Sequence, residues 1–404
     1  MNWCRTCLMP DTRPRVIFED GQCNACDYHF NFKPKIDYAA RAESFFALVE
    51  RKRRHPAYDC IVPFSGGKDS ASVAWRLKFE YGLNPLLVTY GQFLWTDVGR
   101  RNFNRVIDAG VDCIYWRHDQ AVSRKLARRF TIERGHPKQH YDAGVNACTI
   151  RTAVDMGIPL VVFAEHGETE YGGRIADEEA RRQRNLAEVL EHQVGDDPRN
   201  WAVDGISERD LFPYLYPDIA NIERVGVEAV YFSWYFGWDI YENAKLMREK
   251  LGFEQAQNWR EMCAPDGVRL FERNLILGMA LRERQAVDEI NWWGKSDGSF
   301  EGYDSIDDKI DDLDYYLMHV KFGFGRAARQ ASRLIQYGHL MRAEGLELVR
   351  AYDGEFPETY LSDVLAYLGM TRDELTAVID KHRNPEIWTS DGEGTRWQLR
   401  NPPA

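Results

Sequence analysis

Between residues 58 and 232 the chain alternates short apolar runs with stretches of helix-forming residues. The apolar runs are Tyr58–Phe64, Leu86–Tyr90, Val111–Trp116, Ile158–Ala164 and Val227–Phe232. Good helix formers fill Ala71–Lys78 after the first run; a helical stretch ending near Gly110 precedes the third, and the helical Thr149–Met156 precedes the fourth. Strand–helix alternation of this kind predicts an α/β fold, a parallel sheet with helices on both faces. In such sheets the ligand site gathers at the carboxyl ends of the strands. That rule brings Ser65–Ser70, Gly91–Asp97, Arg117–Gln120 and Glu165–Gly173 around one crevice. Residues 174–225 interrupt the pattern with a charged helical stretch and then an irregular Pro- and Gly-containing one, read as an insertion over that crevice or as a solvated decoration. Beyond about residue 240 the apolar spacing turns helical, at Glu242–Lys250, Leu270–Arg284, Leu313–Val320, Ala327–Tyr337 and Asp363–Met370. The expected organisation is a cysteine module over 1–32, the α/β domain over 33–245, and a mostly helical region over 246–404.

Composition narrows the function classes. At 404 residues and 44% hydrophobic the chain can bury a large core. The net charge of −11 argues against nucleic acid as the main partner, because phosphate contacts need clustered Lys and Arg. Local basic runs do occur, Arg51–Arg54 and Arg124–Arg129; both read as solvated helix faces, and the second can also flank an anionic substrate. No apolar stretch reaches the ~18 residues of a membrane span, so no membrane partner and a cytoplasmic location are expected.

The run Ser65-Gly66-Gly67-Lys68-Asp69-Ser70 sits between a strand and a helix. Its glycines allow a tight turn that presents N–H groups to an anion at a helix N-terminus. Lys68 adds a cation and Asp69 a hard oxygen ligand for Mg²⁺. A Walker A loop would need glycine where Val62 stands and Ser or Thr where Asp69 stands, so that reading fails. An ordinary glycine turn is the plain alternative.

Cys4-x-x-Cys7 and Cys23-x-x-Cys26 have the spacing of a four-thiolate structural zinc site. Two disulfides, a redox pair or an iron–sulfur cluster are the other readings; the remaining cysteines (Cys60, Cys113, Cys148, Cys263) are scattered like buried thiols. Gly323-x-Gly325-x-x-Ala328 mimics a dinucleotide fingerprint but opens no βαβ unit. Lys321, Gly323, Gly325, Arg326 and Arg329 are instead candidates for a sugar-nucleotide diphosphate, with a tight helix entry as the alternative.

The Ser65–Ser70 run resembles the PP-loop of enzymes that split ATP into AMP and pyrophosphate, whose fold is adenine nucleotide alpha-hydrolase-like. Together with the cysteine pairs, Ala164–Gly173, Lys321–Ala327 and Tyr352–Pro357, it makes nearly the whole chain resemble the N-acetyl sugar amidotransferases of bacterial surface-polysaccharide pathways. That family usually shows Gly-Glu-Asn where this chain has Ala164-Glu165-His166, and the 174–225 stretch has no clear counterpart in it. The resemblance implies ATP, Mg²⁺ and structural zinc, adenylation of an acetamido oxygen, and displacement of AMP by ammonia. It assigns Lys68, Asp69 and Glu165 to catalysis, with Glu165 binding a sugar hydroxyl, accepting a proton or simply capping the next turn. No glutaminase elbow occurs around any cysteine, so the nitrogen donor is expected to be a separate subunit, and the resemblance implies glutaminase and cyclase-like partners that supply ammonia. The rivals are a tRNA-thiolating enzyme, which would need an RNA surface and further cysteine pairs, and a zinc-stabilised protein that senses ATP without catalysis.

Overall fold

The structure is a computed structural model that describes residues 1–184, 189, 193–203, 205–256, 298–300, 302–390 and 397–404. The helical spacing at Leu270–Arg284, and Cys263, lie outside the described residues.

Two short strands, β1 (Phe18–Glu19) and β2 (Gln22–Cys23), form a hairpin in the cysteine module. The five apolar runs then supply β3 (Cys60–Pro63), β4 (Pro85–Tyr90), β5 (Cys113–Trp116), β6 (Leu160–Phe163) and β7 (Glu228–Tyr231). These pair in parallel in the order β5-β4-β3-β6-β7. Alternation along the strands sorts side chains into two cores: Cys60, Val62 and Leu87 face one way, while Ile61, Leu86 and Val88 face the other. On the first face lie α1 (Tyr38–Lys52), α2 (Lys68–Trp75) and α7 (Ile240–Leu251); α4 (Gln120–Arg134) and α5 (Gln139–Met156) cover the second. Helix α3 (Asp97–Asp108) also joins the first core, through Phe103, Val106 and Ile107, and the short α6 (Gly167–Tyr171) follows β6.

The order of the strands decides where a ligand can sit. From β3 the chain steps outward to β4 and β5, then returns to the other side of β3 to form β6 and β7. The point of reversal therefore falls between β3 and β6, where adjacent loops diverge and leave a crevice. Ser65–Ser70 leaves β3 there, and Glu165 follows β6.

Described parts of 174–225 are not merely solvated decoration. Trp201, Leu211 and Tyr214 are buried in the second core, with the Trp201 ring edge-on to Phe130 at 5.0 Å. Beyond residue 298 come α8 (Asp311–Phe322), α9 (Arg326–Gln336), α10 (Arg342–Tyr352), α11 (Leu361–Leu368) and α12 (Arg372–His382). Two antiparallel strands, β8 (Trp388–Ser390) and β9 (Trp397–Leu399), follow them. Helices α9 and α10 join the first core alongside the cysteines, whereas α8, α11 and α12 complete the second. No helix among the described residues is long and apolar enough to cross a membrane.

Candidate functional site

Gly66 adopts φ +99°, a conformation that favours glycine, and a Cβ there would meet the Trp95 ring at 3.3 Å. The turn is then braced from within: Gly67 N–H donates to Ser65 Oγ at 3.2 Å, and the Ser70 hydroxyl donates to Gly67 C=O at 3.3 Å. From the neighbouring strand end, Gln92 Nε2 donates to Ser65 C=O at 3.0 Å. Helix α2 begins at Lys68, which is only 5% exposed and pairs with Asp69 at 2.8 Å. Asp69 is held from its other side by Asn243 Nδ2 of α7 at 3.0 Å.

Glu165 faces this loop. Burial and the nearby Asp69 carboxylate raise its pKa, while Arg333 and Lys68 pull it back. Its carboxylate accepts from the Tyr171 hydroxyl at 3.4 Å. Glu165 does not cap the following turn; His166 does, its Nδ1 accepting from Thr169 N–H at 3.2 Å.

Helix α9 brings arginines to the same place. Arg326, Arg329 and Arg333 are spaced for one helix face. The Arg333 guanidinium bonds the Tyr171 hydroxyl, lies 4.1 Å from that ring's centroid and donates to the Tyr337 hydroxyl at 3.1 Å. Arg329 bonds Asp304, and its guanidinium lies 4.8 Å from the Tyr315 ring centroid. Burial alone would raise the Asp304 carboxyl, but Arg329, Lys68 and Arg326 together hold it far below the usual carboxylate range. The crevice therefore has cations on two walls, Lys68 on one and Arg329 and Arg333 on the other, with Asp69, Glu165 and Asp304 among them.

Among the candidates from the glycine-rich stretch, Arg326 joins Arg329 in this network. Its guanidinium is engaged by Asp312 at 2.7 Å and by the carbonyls of Asp304 and Ser305. Gly325 permits a close approach instead of a ligand: its N–H donates to Asp353 at 2.8 Å, and a Cβ would strike that carboxylate. Lys321 donates to Arg134 C=O at 3.2 Å, and a Cβ on Gly323 would meet Ile387 and Met1 at 2.8 Å. Gln92, Asn243, Tyr171, Asp304 and Arg333 were not singled out from sequence. Only the arginine spacing carried a readable signal; the others arrive through tertiary packing.

The four module cysteines are fully buried, and their sulfurs all lie within 4.8 Å of one another. Cys4–Cys26 and Cys7–Cys23 stand 3.9 and 3.7 Å apart. Tetrahedral Zn–S bonds of about 2.3 Å give an edge of about 3.8 Å, so the donor set fits zinc. Backbone N–H groups of Cys7, Met9 and Cys23 and Gln336 Nε2 all point at these sulfurs, as outer-shell donors do around thiolates. The other described thiols are of a different kind: burial pushes Cys148 up to about 12 and raises Cys60 and Cys113.

The module is also a clamp. Arg13 bonds Gly172 C=O, Asn24 donates to Gly173 C=O at 2.6 Å, and Arg15 pairs with Glu168 at 2.9 Å. On its other side Leu8 N–H donates to Ser332 at 3.2 Å, and Arg342 reaches the Cys7 carbonyl, also at 3.2 Å. It thereby joins the turn carrying Glu165 and Tyr171 to the helix carrying Arg329 and Arg333.

Residues 297–401 match the family described as "LPS biosynthesis protein WbpG-like, C-terminal domain". The match covers α8–α12 and supports a role in surface-polysaccharide biosynthesis, and hence an enzyme. A curated relative, an uncharacterized protein of Methanocaldococcus jannaschii, is 31% identical over 87 residues, 21% of this chain. The chain spans about a third of that relative's length (31%).

Proposed function

We propose that the chain is an ATP-dependent amidotransferase that converts the N-acetyl group of a sugar nucleotide into an acetamidino group for a surface polysaccharide. The observation that carries the reading is the braced Ser65–Ser70 turn at the sheet's reversal point, with buried Lys68 and half-buried Asp69 facing Glu165 and the arginines of α9. The acetamido oxygen attacks the α-phosphorus of ATP and pyrophosphate leaves. Ammonia then adds to the activated carbon, a proton departs, and AMP leaves with the former amide oxygen.

Lys68 neutralises charge that develops towards pyrophosphate, and the α9 arginines offer the same help from the opposite wall. Asp69, oriented by Asn243 and Lys68, would hold Mg²⁺, which supplies charge neutralisation at the phosphates when bound. Glu165, with its raised pKa, is suited to take the proton from the attacking nitrogen. Water must be kept from the activated carbon, and Tyr171 with the buried Arg333 closes that side. Ammonia comes from separate glutaminase and cyclase-like subunits.

The test incubates the purified chain with ATP, Mg²⁺ and ammonium at alkaline pH. Acceptors are UDP-N-acetylglucosamine and other N-acetylated sugar nucleotides, tRNA, or none. Acceptor-dependent AMP and pyrophosphate with a sugar nucleotide is the expected result; AMP formed only with tRNA, or with no acceptor at all, overturns it. Glutamine as sole nitrogen source should fail until the partner subunits are added.

A further inference from the structure

Beside the Ser65–Ser70 turn, at the carboxyl ends of β4 and β5, lies a cleft of about 480 Å³. Arg100 of α3, Arg117 after β5, Arg124 of α4 and Lys309 line it, with one carboxylate, Asp363. Lys309 pairs with Asp363 at 2.6 Å, which leaves three arginines facing one cavity. No described carboxylate pairs with any of them; two lie against rings instead, Arg124 at 5.3 Å from the Tyr367 centroid and Arg100 at 6.0 Å from that of Trp95. In a chain of net charge −11, like charges gathered without counter-charges repel, and an anion between them relieves that repulsion.

The rest of the lining says what kind of anion. Gln92 is 4% exposed and spends its amide N–H groups on Ser65 C=O and Asp307, while its buried Oε1 has no hydrogen-bond partner. That oxygen needs a donor, which a phosphate lacks and a sugar or ribose hydroxyl supplies. Phe93, Trp95 and Tyr367 give the cleft aromatic surface. Trp95 is shared with the neighbouring turn, since its ring closes over Gly66, so cleft and turn are separated by the width of one indole. Phosphate charge, hydroxyls and a flat ring, with a reactive end one residue's width away, describe a nucleoside diphosphate sugar.

We propose that this cleft binds the diphosphate of the acceptor sugar nucleotide, with Arg100, Arg117 and Arg124 as its anion contacts and Gln92 accepting a hydroxyl; this rests on the amidotransferase reading above. It moves the diphosphate away from Lys321–Arg326, where Arg326 is already engaged by Asp312 and backbone carbonyls. The region matching the polysaccharide family supplies one wall, through Lys309, Asp363 and Tyr367.

Calorimetric titration of the full chain with UDP and, separately, with ATP tests the assignment. The double variant Arg117→Ala/Arg124→Ala should weaken UDP at least tenfold and leave ATP within about threefold, because each lost charge-assisted contact is worth roughly a factor of ten or more. Lys68→Ala should do the reverse. Arg124→Lys, which keeps the charge, should recover part of the UDP affinity, and UDP binding should weaken with added KCl more steeply in wild type than in the double variant. Unchanged UDP binding in the double variant overturns the proposal, as does a wild type that fails to bind UDP. Loss of ATP affinity in the double variant also overturns it, by making the cleft part of the ATP site. Intact, arginine-dependent UDP binding without any ATP binding would sink the amidotransferase reading and leave the cleft assignment standing.

Discussion

The cysteine module draws all four of its sulfurs from residues 4–26, whereas the crevice draws on residues from 65 to 333. The module is dry and closed, its sulfurs surrounded by backbone N–H groups and one glutamine amide. The crevice is ringed by side chains of both charges whose orientation depends on one another: Asn243 on Asp69, Tyr171 on Glu165, Arg333 on Tyr171. A local site can form before the fold is complete; a dispersed one is only as accurate as the packing that assembles it. In this protein the first sits against two elements of the second, so the contrast is also a dependence.

The hardest test of that dependence is Cys23→Ser. Removing one thiolate should abolish stoichiometric zinc, and because metal binding in such sites is worth on the order of 10 kcal/mol, the module should lose its structure. If the clamp matters, AMP formation should fall too, although none of the four module cysteines touches the crevice; full activity in zinc-free, folded protein would separate the two regions. Next in size, Lys68→Ala and Asp69→Ala should each lower AMP formation on the order of 10²–10³-fold with zinc content unchanged, which metal analysis and far-UV circular dichroism would check.

A smaller effect comes from the carboxylates behind Gln92. Burial, with Asp311 adding, raises Asp307 to about 6; burial raises Asp308 to about 7 despite Lys138. Raised carboxyl pKa values mean that the folded state keeps protons the unfolded chain has released. Stability should therefore fall as pH climbs from about 4 to about 7, with the full loss present above that window. Asp308→Asn removes the titration but keeps only one acceptor oxygen, so it loses one of the bonds that Phe93 and Leu94 N–H now donate to separate carboxylate oxygens at 2.8 and 3.2 Å, a cost that does not vary with pH. It should gain on wild type by on the order of 1–3 kcal/mol across that range in urea titrations. A difference that stays flat with pH would assign Asp308 an ordinary carboxylate. The smallest change expected is Gln336→Ala, which removes the amide donor to Cys7 and Cys26 and should weaken zinc roughly tenfold in chelator competition.

How much of this could be read from the sequence follows the same division. The module was readable because its chemistry lies in two short, evenly spaced pairs. All five parallel strands were readable too: β3, β4 and β6, buried on both faces, leave continuous apolar runs, and the partly exposed edge strand β5 keeps an apolar Cys113–Trp116 of its own. The β8–β9 hairpin was not expected: each strand has three residues, too few for a period to show. Helices α10 and α12 were also left unassigned. In the crevice, Lys68 and Asp69 were visible through their glycines, but Asn243 and Asp304 are ordinary polar residues until the fold places them. The spacing of Arg326, Arg329 and Arg333 was present in the text of the chain and its meaning was not, because a helix face acquires a role only when its neighbour is known.

The clamp also sets a timetable. Leu8 waits for Ser332, 324 residues further along the chain. At synthesis rates of 5–20 residues per second, roughly 15–65 s pass before that partner leaves the ribosome. Throughout that interval the module can take up metal but cannot dock, and its apolar side, including Leu8 and Met9, faces whatever else is nearby. Helices α9 and α10 thus complete the cysteine module long after it is made, and the turn bearing Glu165 is gripped from both sides only then.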